Sequence, residues 1–176
     1  PLTIMYMIPI LGPTAYIHFE GDLILVMFFM IAYYRWLGSL ATAALFVYGA
    51  IALAIFKLVP ITLTLPGLAG FVISVGMAVD ADVLIFERMK EEILIGRTLE
   101  AGVAEGFRRA WPSIRDSNVS TFITCVILYW VGGTFGAFMV KGFAVTLFLG
   151  VAVSMFSAIT VTRTFLTVVV STQTGK

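Results

Sequence analysis

Residues 65–92 read LPGLAGFVISVGMAVDADVLIFERMKEE. Between positions 66 and 86 the only charged residues are Asp80 and Asp82, and a dense charged run, Glu87, Arg88, Lys90, Glu91 and Glu92, follows at once. About 20 mostly apolar residues of helix cross the ~30 Å hydrocarbon core of a bilayer. Proline is tolerated in the first helical turn, where its missing N–H would have no partner anyway. The stretch therefore predicts a transmembrane helix over 66–86 that carries two carboxyls. Ala69, Ile73, Gly76 and Asp80 fall near one stripe of it, and Gly70, Ser74 and Ala78 form a four-residue-spaced row of small residues leading toward Asp82. Small residues on more than one side predict a central helix with neighbours packed around it and its carboxyls at helix contacts.

Similar lengths recur on both sides. Residues 39–58, SLATAALFVYGAIALAIFKL, form one clear span that Pro60 stops, and 142–161 form another that closes on Arg163. A span over 118–138 is also expected, its outer end blurred by Gly132, Gly133 and Gly136. The apolar stretch 23–34 has twelve residues, roughly 18 Å of helix at about 1.5 Å per residue, which is too short to cross alone. Extending it to 13–36 gives the length but draws in His18, Glu20 and Asp22, which need an interface or a cavity. Residues 1–22 fit no span cleanly, and a cleaved secretory signal is disfavoured because the start is proline without a basic flank. The expected fold class is all-α, a polytopic membrane bundle of about five transmembrane helices over 23–176.

Composition agrees. Of 176 residues 60% are apolar and only 12% charged, about half the charged share of a soluble domain. A net charge of +1 offers no basic field for nucleic acid. One cysteine, Cys125, and one histidine, His18, build neither a disulfide framework nor a multi-cysteine metal site. No nucleophile and base pair, metal-ligand cluster or phosphate loop is present, so an enzyme is not expected and no cofactor is implied.

The basic residues orient the bundle. Arg35, Arg88, Lys90, Arg97, Arg108, Arg109, Arg115, Arg163 and Lys176, nine of the eleven, share one face, and Lys57 and Lys141 lie on the other. The positive-inside rule makes the richer face cytoplasmic and puts the C-terminus inside. The connection 87–116 is expected to be an amphipathic helix at the membrane surface or a solvated helical hairpin, because Ile93, Leu94, Leu99, Val103, Phe107 and Trp111 recur among its charges.

Asp80 is the residue most in need of explanation. An aspartate at hydrocarbon depth costs about 2.5–3.5 kcal/mol on insertion scales, so it should face protein or water. Burial favours its protonated form, and a nearby cation favours the charged one. Moving one charge through about 100 mV is worth about 2.3 kcal/mol, enough to bias two helix packings. Asp80 thus reads as a proton switch or, alternatively, as a neutral acid bonded to a backbone carbonyl. No basic residue lies at its depth in this chain, so a cation would have to come from another chain or from a part of the protein outside this sequence. Asp82, nearer the cytoplasmic end, is expected to snorkel to the interface. Asp116 and Asn118, at the inner end of the 118–138 span, are expected to cap it, with a place for Asp116 on the proton's cytoplasmic route as the alternative. Gly150 and Ser154, spaced four apart with Ala158, read as helix packing, as does Gly76.

Three stretches, residues 65–92 quoted above, GFRRAWPSIRDSNVSTFITCVILYWVGG over 106–133 and VKGFAVTLFLGVAVSMFSAITVTR over 140–163, occur in the order and spacing of the SecD/SecF family of protein-export membrane proteins. The family belongs to the resistance-nodulation-division superfamily, and the resemblance, over about 23–170, is closer to its SecD side. It implies one six-helix half of a pseudo-symmetric transporter that uses proton-motive force to assist secreted polypeptides beyond the Sec translocon, with the proton as coupling ion. It places the family's proton-carrying aspartate on Asp80 and pairs it with an arginine of a SecF-like subunit. The family's DxN motif falls on Asp116 and Asn118, and VKGFAVTL on residues 140–147. Where the family usually has asparagine, this chain has Asp82, a second acid that either shares the proton with Asp80 as a coupled pair, and so supports the proton pathway, or reaches the interface. The chain looks like a C-terminal portion whose large extracytoplasmic domain lies elsewhere. A small-molecule exporter of the same superfamily and a passive membrane assembly subunit are the competing expectations.

Overall fold

The computed structural model describes residues 24–59, 64–162, 164 and 168. Residues 1–22, most of the turn after Leu58, Arg163 and the C-terminal expectations lie outside them. Among the described residues all regular structure is helical: α1 (Ile24–Tyr34), α2 (Trp36–Leu58), α3 (Leu65–Leu94), α4 (Leu99–Thr134) and α5 (Phe138–Ser157), continued by a π turn (Ala158–Thr162).

Local chemistry sets the ends. Thr64 caps α3 by accepting from Gly67 N at 3.2 Å, with Pro66 in the first turn. Thr98 caps α4 by accepting from Ala101 N at 3.4 Å. Two turns need a glycine backbone: Gly96 at φ 98° between α3 and α4, and Gly136 at φ 66° between α4 and α5. Three helices are long and apolar enough to cross a membrane, over Gly38–Leu58, Leu65–Leu94 and Phe138–Thr162. The short α1 ends at Arg35, a non-glycine residue at φ 50°.

The central helix is α3, which packs against α2, α4 and α5. Close approach depends on glycine. A Cβ on Gly70 would press on Phe143 O and Thr146 of α5, and one on Gly150 would overlap the Ser74 side chain of α3. Tyr48 of α2 joins the same crossing through a 2.7 Å hydrogen bond to Ser74 Oγ. Without a hydrophobic difference between side chains and lipid, such close packing and buried hydrogen bonds hold the helices together.

At the other end α3 continues beyond residue 86, and α4 begins at Leu99 and runs back along it. Residues 87–116 therefore form a helical hairpin. Gly106 lies directly on the backbone of Met89, and Val103, Ala110 and Ile114 complete the seam. Glu92 is buried there between Arg97, at 2.9 Å, and Arg109. The span expected over 118–138 falls on the second half of α4, which stops at Thr134.

Candidate functional site

The two carboxyls of α3 meet opposite surroundings. Asp80 is exposed on the surface of the chain, and so are Ala69, Ile73 and Gly76 along the same stripe. Among the described residues Asp80 has no hydrogen bond or ion pair. Gly76, expected at a helix contact, has nothing within 4 Å of where its Cβ would stand, so this stripe is uncovered by the chain's own helices. Three of the basic residues near the ends of the spans are engaged elsewhere: Arg88 with Glu91 at 3.0 Å, Lys90 over the ring of Tyr33, and Lys141 over that of Tyr129. The other row, Gly70, Ser74 and Ala78, is buried.

Asp82 is only 6% exposed, and its Oδ1 accepts a 2.7 Å hydrogen bond from Thr162 Oγ1. This corrects the snorkelling expectation. Asp82 shares a small cavity with Met27 and Met30 of α1, Thr42 of α2 and Val79 of α3, so neighbouring helices cover the carboxyl before it can reach the interface. Thr162 closes the π turn, a widened turn of the kind that often aims a side chain at functional sites. Sequence reading missed this partner because it lies 80 positions away and one threonine among several at the end of an apolar span carries no signal of its own.

Asp116 and Asn118 do not cap a helix. The cap of α4 is Thr98, and the helix continues through Pro112 and both polar residues. Pro112 removes one backbone donor without ending the helix. Asp116 is exposed and paired with Arg115 at 3.0 Å, whereas Asn118 is buried at 4% exposure. Ser117, Thr121 and Thr124 turn their hydroxyls onto carbonyls of their own helix, at Ile114, Ser117 and Ser120. On α5, Ser154 is buried and donates to Val151 O at 2.9 Å, one turn beyond Gly150 at the Ser74 crossing.

Three comparisons bear on what this arrangement is. The family described as Protein export membrane protein SecD/SecF, C-terminal, matches residues 11–172, a match that starts ahead of residue 23. Among curated proteins, the protein translocase subunit SecD of Dehalococcoides mccartyi (strain VS) is 66% identical over 155 residues, covering 88% of this chain and 34% of the relative. The corresponding subunit of Synechocystis sp. is 55% identical over 148 residues, covering 84% and 30%. Among solved structures, SecDF in its super-membrane-facing form superposes with a TM-score of 0.80 at 33% identity, over 89% of this chain and 21% of that one. SecDF from Thermus thermophilus, described as translocon-associated, gives 0.74 at 37% identity, over 80% and 19%. The chain thus spans about a third of the length of the curated relatives it matches.

Proposed function

The chain belongs to the SecD/SecF family of protein-export membrane proteins, and from that premise we propose that it is the membrane portion through which a SecD-type subunit couples proton movement to polypeptide export. It is a multi-pass membrane protein, with three helices long and apolar enough to span. In this reading it sits in the cytoplasmic membrane with the α3–α4 hairpin and the C-terminus inside, an orientation supported by the clustering of arginine and lysine on that side.

The observation that carries the proposal is the uncovered stripe of Ala69, Ile73, Gly76 and Asp80. Small residues allow a partner helix to approach the backbone of α3 closely, and a carboxylate in their midst requires a partner to be tolerated at that depth. A SecF-like subunit supplying an intramembrane arginine meets both needs. Asp80 then alternates between a protonated state and one paired with the arginine. The difference in pairing between the two states biases how the helices pack. The packing change passes to an extracytoplasmic domain that handles the secreted polypeptide beside the Sec translocon. The proton is the coupling ion, Asp116 and Asn118 support its route on the cytoplasmic side, and the chain performs no bond-making chemistry.

The test uses full-length protein reconstituted with its SecF-like subunit, the translocon and its motor. Asp80→Asn should remove the part of export that depends on a proton gradient. A passive assembly subunit would retain it, and a small-molecule exporter would show no gradient-dependent polypeptide export in wild type.

A further inference from the structure

We propose that Asp82 is a second proton-binding group of this membrane domain, reached through the cavity between α1, α2 and α3 and tied by Thr162 to the π turn that ends α5. The inference rests on the proton-coupling reading above and adds to it a site on the opposite side of α3 from Asp80.

The first support is the chemistry of the partner. Thr162 Oγ1 donates to Asp82 Oδ1 at 2.7 Å, and a hydroxyl can serve either state of the acid, donating to a carboxylate or accepting from a carboxylic acid after rotation. A guanidinium would hold the carboxylate charged, because it can only donate. The bond occupies one carboxyl oxygen and leaves the other to take the proton.

The second support is access. The cavity has room for about one water molecule. Its polar lining is Asp82 and Thr42, whose Oγ1 donates to Gly38 O at 2.8 Å and keeps lone pairs to accept from water. A water held between the two can deliver a proton to the free carboxyl oxygen and remove it again.

The third support is electrostatic isolation among the described residues. The titratable side chains that neighbouring elements bring inward are already engaged: Tyr34 of α1 donates to Glu87 at 2.9 Å, and Tyr48 of α2 pairs with Ser74 at 2.7 Å. Lys57 lies in the last turn of α2, the π turn carries no titratable residue, and Asp80 is exposed on another side of α3. Of the residues lining the cavity only Asp82 is ionisable. Proton gain or loss at Asp82 therefore changes the local charge by a full unit, and its bond to Thr162 carries that change to the end of α5. A π turn differs from an α turn by one residue of register, which gives the change a two-state element to act on.

Infrared spectra of the full-length protein with its partner subunit in lipid vesicles, recorded across a pH series, test this. Wild type should show a carboxylic-acid carbonyl band that titrates and that Asp82→Asn removes, distinct from the band removed by Asp80→Asn. Thr162→Val should displace the midpoint of the Asp82 band and leave the Asp80 band in place. The inference is overturned if Asp82→Asn removes no acid band, if the band it removes is constant with pH, or if Thr162→Val leaves its midpoint unchanged. Proton flux through Asp80→Asn vesicles, measured in parallel, reports separately on the proton-coupling reading. Because asparagine keeps the shape and an acceptor oxygen for Thr162, and Thr162→Val leaves the carboxyl itself untouched, the two variants check one another.

Discussion

Asp80 and Asp82 stand two positions apart on α3 and face different worlds, the first exposed on an uncovered stripe, the second buried against Thr162 at 2.7 Å. At about 100° per residue, two positions are about 200° around a helix, so adjacent acids on one span serve opposite faces. One face is filled by α1, α2 and the π turn of the same chain. The other is left uncovered by the described helices of this chain, and that asymmetry underlies the proposed function.

Glycines on the two faces should respond differently. A Cβ at Gly106 would stand 2.6 Å from Met89 N and 2.7 Å from Met89 Cα, backbone atoms that cannot move aside, so Gly106→Val should destabilise the bundle by about 1–3 kcal/mol. Gly76→Val meets open space within this chain. It should leave thermal unfolding of the isolated subunit nearly unchanged while weakening co-purification with the SecF-like subunit. Unfolding in detergent and pull-down of the pair check both halves.

The hairpin carries a buried charge. Glu92 lies between Arg97 and Arg109, and Glu92→Leu leaves two guanidiniums facing an apolar side chain. Both arginines remain roughly half-exposed, so solvent softens the loss to about 1–2 kcal/mol, above a surface pair and below a fully buried one. Denaturant unfolding should show the deficit, and added salt should narrow the gap to wild type.

Acid should loosen the same hairpin. The hydrogen bond from Arg108, together with the nearby charges of Arg97 and Arg109, holds the Glu105 carboxyl below its ordinary range. A carboxyl held low in the folded state contributes stability at neutral pH, and this fades as pH falls through the ordinary range toward the folded value. The α3–α4 hairpin should therefore exchange amide hydrogen faster in mild acid than at neutral pH, by more in wild type than in Glu105→Gln. An equal acid response in the two proteins would contradict the assignment. Glu105 is only partly buried and its arginine partners reach solvent, so the effect should shrink in high salt.

Much of this was legible in the residues themselves. Apolar length bounded by Pro60, Pro66 and charged runs located the helices, and the four-residue spacing of Gly70, Ser74 and Ala78 marked the face that packs. The expectation that Asp80 takes its cation from outside the chain, a proposal still, followed from the depth of the basic residues. The cap expected at Asp116 and Asn118 failed for a physical reason: polar residues and Pro112 read as a helix start, yet the helix had already begun at Thr98 and tertiary contacts along Met89 carry it through. The place of Asp82 was legible only in part: the row Gly70, Ser74 and Ala78 leads toward it and is buried with it. Its partner Thr162 was not, because it lies 80 positions away and local periodicity does not encode where it is brought back.

The most direct measurement is proton flux into vesicles that hold the full-length protein with its SecF-like subunit, followed by a trapped pH-sensitive dye under an imposed gradient. The account predicts that Asp80→Asn brings the flux down to that of protein-free vesicles while the two subunits still co-purify. Flux equal to wild type in that variant would contradict it.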